Sequence, residues 1–294
     1  MHKLTETKDL MRMANTLRKD VITMLLEAKS GHSGGPLGLA DIATALYFNI
    51  LNIDPKKKDD PNRDRLHISC GHTAPIWYAV LARAGFFPVE ELKTLRKLGS
   101  RLQGHLDRLT VPGVESSAAS LGQGLGIACG AAMAGRINKQ MYQVYAVLSD
   151  GEHDEGSTWE AIAFAGHYKL EHLTVIVDRN NIQIDGPTEK IMTKEPMRDR
   201  YEAFGWHVID IDGHSFDQII EACSEAKAIV EKPVCIIAHT IPGKGVDYME
   251  YDYRWHGAPP GNVETERTPP KAEQGKAALR QLQTLDGKIK NMDL

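Results

Sequence analysis

Two stretches of the sequence decide the fold, VYAVLSDG at residues 144–151 and LTVIVDRNNI at residues 173–182. Each begins with an apolar run that predicts a buried strand, and the segment 157–170 between them predicts a helix. A strand, a helix and a second strand in this order form a unit with parallel strands and a right-handed crossover. The carboxyl ends of both strands then open on one edge of the sheet, where open α/β sheets bind ligands. Asp150 and Asn180 are therefore predicted to lie together at that edge.

The residues at this edge predict a site for a hard cation and a phosphate group. The carboxylate of Asp150, the amide oxygen of Asn180 and a nearby backbone carbonyl suit Mg²⁺ or Ca²⁺ and leave coordination positions for phosphate oxygens. Gly151 lacks a Cβ, so the backbone there can approach a phosphate closely. The helix that opens near Ser157 adds its positive end to the anion site. Taken alone, Asp and Asn at strand ends are also common turn formers and caps.

Strands and helices alternate along the rest of the chain. Further strands are predicted at 67–69, 206–210 and 234–238, and further helices at 5–29, 37–51, 122–135 and 216–230. This alternation predicts an α/β fold with a mainly parallel sheet and helices on both faces. No internal repeat or interdomain linker is visible in the sequence. We expect one domain over residues 1–263 and a peripheral tail over residues 264–294 that ends in a weak helix.

Composition excludes several classes of protein. The chain has 294 residues and a formal net charge of −4, which gives no reason to expect nucleic acid or an anionic membrane as a partner. No apolar run approaches the roughly 20 residues that span a bilayer, and the first residues lack the apolar core of a signal peptide. The four cysteines form no C-x-x-C pair, which favours reduced, buried thiols in a cytoplasmic protein.

The two stretches that decide the fold resemble the metal-diphosphate motif of thiamine diphosphate enzymes, and within them transketolase. The likeness extends over nearly the whole chain through five further motifs in the family's order. These are KSGH at 29–32, CGH at 70–72, GH at 104–105, LGQG at 121–124 and WHGAP at 255–259. The resemblance implies the diphosphate-type thiamine diphosphate-binding fold. It also implies thiamine diphosphate and Mg²⁺ as cofactors, with Ca²⁺ as a substitute metal.

The resemblance also implies roles for individual residues. It assigns the side chains of Asp150 and Asn180 and the backbone carbonyl of Ile182 to the metal, with Gly151 beside the diphosphate. Imidazole can donate to phosphate, bind hydroxyls or move protons near neutral pH. Accordingly, the resemblance places His72 and His256 near the diphosphate, and His32, His105 and again His256 at the carbonyl and hydroxyls of the substrate.

Five further positions follow from the same resemblance. The backbone around Ala119 and Leu121 is expected to hold the aminopyrimidine, although Ala119-Ser120 stands where the family usually has Gly-Pro. Ile184 is expected against the thiazolium ring, or else as an ordinary core aliphatic. Glu155 is expected near a dimer interface, where it helps to link two cofactor sites. For Glu160 the same role and a capping box over residues 157–160 are both expected to be compatible. A last departure is Ser149, where the family usually has Gly.

In the family, the glutamate that activates the cofactor and the aromatic residues that stack on the pyrimidine belong to a second α/β domain. The sequence has no residues after the WHGAP motif and the short tail to build that domain. We therefore expect the N-terminal subunit of a split transketolase. It would pair with a C-terminal, pyrimidine-binding subunit, two copies of each, and transfer a two-carbon ketol unit from a ketose phosphate to an aldose phosphate.

Three alternatives remain open from the sequence. The same half-site could serve 1-deoxyxylulose 5-phosphate synthesis or the decarboxylation of 2-oxo acids, or the chain could be a non-catalytic binding module. The relatives with those other activities share the Asp-Gly and Asn element but not all four histidines. The complete histidine set therefore favours transketolase.

Overall fold

The centre of the fold is a pair of parallel strands that are buried at every position. In the computed structural model, which describes residues 3–292, these strands are β2 (Val144–Ser149) and β3 (Leu173–Arg179). They run parallel, and Ser149 lies opposite Asp178 at their carboxyl ends. Strands that are apolar without alternation are typical of sheets covered on both faces. The predicted strand–helix–strand unit is confirmed.

Five parallel strands form the main sheet. Its other members are β1 (Arg65–Ile68), β6 (His207–Asp212) and β7 (Val234–His239), and the spatial order is β1-β2-β3-β7-β6. Two short strands follow β3 and pair antiparallel in a small hairpin, β4 (Ile182–Gln183) and β5 (Gly186–Pro187). The prediction of a mainly parallel sheet is confirmed.

Helices cover both faces of the sheet. In chain order they are α1 (Thr7–Ala28), α2 (Gly34–Gly38), α3 (Ala40–Ala45), α4 (Ala74–Ala84), α5 (Gly124–Ile137), α6 (Gly156–His167), α7 (Thr188–Ile191), α8 (Met197–Ala203), α9 (Phe216–Ala228) and α10 (Gln274–Lys290). Among the residues that the structure describes, no helix combines the length and apolarity that crossing a membrane requires.

Alternate residues of each strand face two separate apolar cores. Tyr145 and Val147 of β2 belong to the core with α1, α3, α4 and α9. Ala146 and Leu148 belong to the core with α5, α6 and α8. Because successive side chains of a strand point to opposite faces, each buried strand ties both layers together. The carboxyl edge of the sheet is thus held firmly from both sides.

Two predicted elements differ from the structure in form. The predicted helix over residues 37–51 is divided into α2, α3 and a π-helical turn over Leu46–Ile50. Gly38 ends α2 where the backbone of Ile241 approaches closely, since a Cβ on Gly38 would lie 3.0 Å from that carbonyl oxygen. The strand predicted at 67–69 begins two residues earlier, at Arg65. Tertiary contacts, which a local pattern does not contain, determine these bounds.

The helix α10 lies in the segment that we expected to be a peripheral tail. Its residues Ala278, Leu282 and Ile289 are buried, and it packs along α1. The side-chain amide of Asn15 in α1 donates to the carbonyl of Leu282 at 2.8 Å. This helix is therefore packed on the main body, and the boundary at residue 263 stays a prediction.

Candidate active site

A cavity of about 340 Å³ opens at the carboxyl edge of the sheet. Its lining includes all four histidines that stand in the sequence motifs: His32, His72, His105 and His256. These residues come from four separate loops, so the fold brings together positions that are far apart in the chain. A second cavity of about 290 Å³ lies between residues 53–63 and 108–115 and contains none of the motif residues.

The four imidazole rings form one cluster. The ring centroids of His72 and His256 are 5.0 Å apart, and His32 lies 5.3 Å from His72, 5.7 Å from His256 and 6.5 Å from His105. His32 follows Gly31, whose φ of 125° lies in the region that favours glycine, and a Cβ there would meet Leu25 at 2.7 Å. The turn after α1 therefore requires this glycine to direct His32 to the cavity.

Burial keeps these imidazoles neutral. It lowers the pKa of His256 to about 4, and together with the nearby His256, Arg96 and His105 it lowers the pKa of His32 to about 4. The pKa of His72 falls well below its ordinary value, mainly through burial, and the pKa of His105 is lowered by burial and by Arg96. Near neutral pH each ring therefore offers one donor and one acceptor nitrogen.

Two of these rings have unused hydrogen-bonding capacity. The Nδ1 atoms of His32 and His256 are buried and have no partner among residues 3–292. The same is true of the side-chain oxygen of Gln183, which also lines the cavity. Buried polar atoms are normally hydrogen-bonded, so unpaired atoms in residues that line a cavity are compatible with a polar ligand there.

Asp150 and Asn180 directly follow the neighbouring strands β2 and β3 at this edge. The Asp150 carboxylate accepts from the backbone N–H of Gly151 and of Asn181, both at 2.7 Å. The Asn180 amide donates to Asp178 at 2.7 Å, and its oxygen accepts from the N–H of Ile182 at 3.0 Å. The two side chains are buried, whereas Gly151 and Ile182 reach the cavity lining.

An arginine that sequence analysis did not single out completes this edge. The guanidinium of Arg179 forms an ion pair with Asp150 at 2.9 Å and contacts Glu189 at 2.7 Å and Glu195 at 2.9 Å. Burial raises the pKa of Asp150, and Arg179 acts in the opposite direction. Arg179 stood inside the motif, but its partners lie 10 and 16 residues further on, beyond any local pattern.

The donor set predicted at this edge is of the kind that suits a hard divalent cation. One carboxylate, one amide oxygen and one backbone carbonyl are hard oxygen donors that leave positions for phosphate oxygens. Within residues 3–292, no group of three or more His, Cys, Asp or Glu side chains is placed to hold a metal ion. The predicted set is of another kind, since only Asp150 among its members carries a charge.

The predicted contacts with the rest of the cofactor are distributed around the cavity. Ala119 and Leu121 line one wall, and Ile184 lines the cavity while 67% of the residue is exposed. The alternative of a core aliphatic is therefore wrong for Ile184. Ile191 is a lining residue that sequence analysis missed, because it lies outside the quoted motifs. Ser149, the departure from the family's glycine, also lines the cavity.

The two glutamates at the start of α6 do not line the cavity. Glu155 is exposed at the N-cap position of α6, in contact distance of Gly122, and Glu160 is exposed on the first turns of the helix. The helix begins at Gly156 and has no side-chain cap, so the capping box predicted over residues 157–160 is wrong. The structure places Glu155 beside the cavity wall.

Comparison with known proteins identifies the family of this chain. Residues 10–276 match the family Transketolase, thiamine diphosphate binding domain. The chain is 43% identical to the 6-deoxy-6-sulfo-D-fructose transketolase subunit SqwG of Clostridium sp. (strain MSTE9), over 82% of this chain and 88% of that protein. It is 39% identical to one subunit of the apulose-4-phosphate transketolase of Phocaeicola vulgatus, over 94% of each chain.

Solved structures extend this comparison. Transketolase from Campylobacter jejuni has a TM-score of 0.82 and 33% identity, over 98% of this chain and 48% of that one. The chain thus spans about half the length of the solved transketolases and nearly all of the subunit-named relatives. The protein belongs to the transketolase family and corresponds to its N-terminal, thiamine diphosphate-binding half.

Proposed function

We propose that the chain is the N-terminal subunit of a two-subunit transketolase. Once paired with a pyrimidine-binding subunit, it transfers a two-carbon ketol unit from a ketose phosphate to an aldose phosphate. The observation that carries this proposal is the cluster of four neutral histidines over the edge that holds Asp150 and Asn180. A site for thiamine diphosphate alone does not require so many sugar-binding imidazoles.

The cofactor contacts follow from the positions described above. Asp150, Asn180 and the carbonyl of Ile182 would hold Mg²⁺, or Ca²⁺ in its place, because all three are hard oxygen donors. Gly151, His72 and His256 would contact the diphosphate. The remaining contacts are the wall at Ala119 and Leu121 for the aminopyrimidine, and Ile184 for the thiazolium ring. Glu155, beside that wall, would link the site to a second copy.

The histidines of the cluster carry out the substrate chemistry in this proposal. The chemistry that bound thiamine diphosphate supplies is a carbon nucleophile for the donor carbonyl. His32, His105 and His256 bind the carbonyl and hydroxyl oxygens of the sugar. A neutral imidazole can accept a proton from a hydroxyl at one nitrogen while its other nitrogen donates a hydrogen bond. The lowered pKa values keep these rings in that neutral form at physiological pH.

Exposed apolar side chains support two kinds of contact between subunits. Ile184, Ile191 and Met192 are exposed around the cavity, where a pyrimidine-binding subunit would cover them. A second apolar area lies on α5 and α6, where Ile127 and Phe164 are exposed. Exposed apolar patches of this kind mark protein interfaces. We propose a heterotetramer of two copies of each subunit, working in the cytoplasm, where the thiols stay reduced.

A modified donor sugar is the second candidate substrate. The observation that favours it is the 43% identity to a subunit named for 6-deoxy-6-sulfo-D-fructose, which carries a sulfonate in place of the phosphate. The ketopentose phosphates of the pentose phosphate pathway and this sulfonated ketohexose share the two-carbon ketol end that is transferred, and they differ in chain length and in the anionic group at the far end. The four histidines serve either donor.

Reconstitution tests the proposed function directly. The purified chain, a complementary pyrimidine-binding subunit, and the mixture of both are assayed with Mg²⁺ and thiamine diphosphate. We expect ketol transfer only in the mixture, with pentose phosphates or the sulfonated ketose as donor. Appreciable transfer by the purified chain would overturn the two-subunit proposal. A mixture that decarboxylates 2-oxo acids, or that forms 1-deoxyxylulose 5-phosphate, would overturn the proposed reaction.

A further inference from the structure

Glu152 is a fully buried carboxyl group immediately behind the cavity edge. Its two oxygens accept hydrogen bonds from the hydroxyl of Ser69, from the N–H of Gly122 at 2.7 Å and from the N–H of Ser149 at 3.3 Å. The Ser69 hydroxyl in turn accepts from the N–H of Gly124 at 3.0 Å. One side chain thus holds the ends of β1 and β2, the start of α5 and the loop that precedes it.

Glu152 has no positively charged partner. Within residues 3–292 it forms no salt bridge, so its three hydrogen-bond donors alone balance the burial of the carboxyl group. Burying such a group without a cation is expensive unless its oxygens are well satisfied. An apolar side chain would fill this space but would leave the N–H groups of Gly122 and Ser149 without their acceptor, so the acid serves to hold these two segments.

The loop that Glu152 holds has little freedom to find another position. Gly122 has a φ of 82°, and a Cβ there would lie 2.4 Å from the hydroxyl of Ser157. The preceding residues Ala119 and Leu121 form one wall of the cavity, while Ser149 forms part of its floor. The bonds from Gly122 and Ser149 to the same carboxyl group therefore fix the distance between wall and floor.

We propose that Glu152 is a positioning residue that sets this wall against the edge carrying the metal ligands. The inference rests on the proposed function, because the wall at Ala119 and Leu121 is the one proposed to hold the aminopyrimidine. Glu152 itself does not line the cavity. Its effect on the reaction passes through Gly122, Ser149 and Ser69.

The test is E152Q with a matched control elsewhere in the sheet. Glutamine keeps the shape but replaces one acceptor oxygen by a donor, so one backbone N–H loses its partner. Asp64 provides the control, because this buried carboxylate accepts from the N–H of Asn52 at 2.8 Å and of Gln143 at 2.9 Å at the opposite edge of the sheet. D64N makes the same chemical change away from the cavity.

Titration of the reconstituted complex with thiamine diphosphate gives the first readout. In E152Q we expect the concentration for half-activation to rise about tenfold, the size of effect that about 1.4 kcal/mol produces, while kcat at saturating cofactor stays within about threefold. D64N should lower the melting temperature as much as E152Q does, but it should leave the half-activation concentration unchanged. Equal titrations for E152Q and wild type, or an equal rise in D64N, would overturn the positioning role.

Hydrogen exchange in the purified chain gives a second readout that needs no turnover. We expect E152Q to speed exchange in residues 119–124 about tenfold, and D64N to speed exchange only near Asn52 and Gln143. Unchanged exchange at 119–124 would overturn the proposal. If the wild-type complex lacked ketol transfer but E152Q loosened this loop, the proposed function would fail while the anchoring of the wall by Glu152 would stand.

Discussion

His256 and His67 are alike in three respects and differ in a fourth. Both are buried, burial lowers the pKa of both to about 4, and each has one ring nitrogen without a partner among residues 3–292. His256 faces a cavity that it shares with three other histidines, whereas His67 lies on β1 and its Nδ1 pairs with Ser116 at 3.1 Å. A shifted pKa and an unpartnered nitrogen therefore do not identify a functional histidine; an accessible cavity with companion groups does.

The largest expected effect separates these two histidines by activity. In the reconstituted complex, His256→Ala should lower kcat/KM for the donor ketose by about 10²–10⁴-fold, the range for losing a proton-transfer or charge-stabilising group. His67→Ala should keep kcat/KM within about threefold, since that ring touches no part of the cavity. Steady-state kinetics on both variants checks this. Equal losses would show that burial, and not the cavity, determines the importance of these rings.

Two histidines of the cluster should differ in the ligand whose binding or reaction they affect. His105→Ala should lower kcat/KM for the donor by about 30–1,000-fold, or 2–4 kcal/mol, while the thiamine diphosphate titration stays near wild type. His72→Ala should raise the thiamine diphosphate concentration for half-activation instead. The measurement is a pair of titrations on the complex, one in cofactor and one in donor. A reversed pattern would exchange the two roles, and no change in either titration would make both histidines structural.

His67 should contribute measurably to the pH dependence of the unfolding free energy. Its pKa is about 4 in the folded chain and 6.5 in the unfolded chain, so the unfolded state takes up the proton first as pH falls. The stability that a neutral His67 contributes is present in full above pH 6.5 and is lost as the pH falls towards 4. Burial, Arg65 and Arg63 lower this pKa, while nearby Glu115 opposes the lowering.

Denaturant unfolding at pH 7 and pH 5 measures this contribution. At pH 5 the loss amounts to about 2 kcal/mol for a single histidine with these two pKa values. His67→Gln should reduce the difference in unfolding free energy between the two pH values by about that amount. A variant with the same pH dependence as wild type would contradict the assignment of a neutral His67.

The smallest expected effect concerns the exposed wall of the cavity. Ile184→Ala should raise the thiamine diphosphate concentration for half-activation about fivefold, because about 1 kcal/mol of apolar contact with the cofactor is lost. The melting temperature of the purified chain should not change, since Ile184 is mostly exposed there. A lower melting temperature with an unchanged titration would assign Ile184 to the fold.

The sequence predicted the sheet well because buried strands follow from local pattern. The apolar runs before Asp150 and Asn180 placed both residues at one edge, as β2 and β3 confirm. Pattern alone did not bring four histidines from separate loops together; the family resemblance named them, and the structure places them in one cavity. The prediction of a capping box was wrong because α6 begins directly after the turn over residues 151–154, so that Glu155, and not Ser157, occupies the N-cap position.

The contacts of Glu152 and Arg179 lay beyond sequence analysis for a different reason. The hydrogen-bond partners of Glu152 at Ser69 and Gly122 are 83 and 30 residues away. No periodicity or spacing connects positions at such separations. Buried charged groups become informative only once the fold shows which backbone groups surround them.

The ion pair between Arg179 and Asp150 matters for the chain that has not yet bound its cofactor. A freshly made chain does not leave the Asp150 carboxylate as an isolated buried charge, because the guanidinium is already beside it. If Asp150 were to bind a divalent cation, Arg179 would keep Glu189 and Glu195 as counter-charges. In cells that lack thiamine, the protein should therefore persist in a folded, cofactor-free form instead of being degraded.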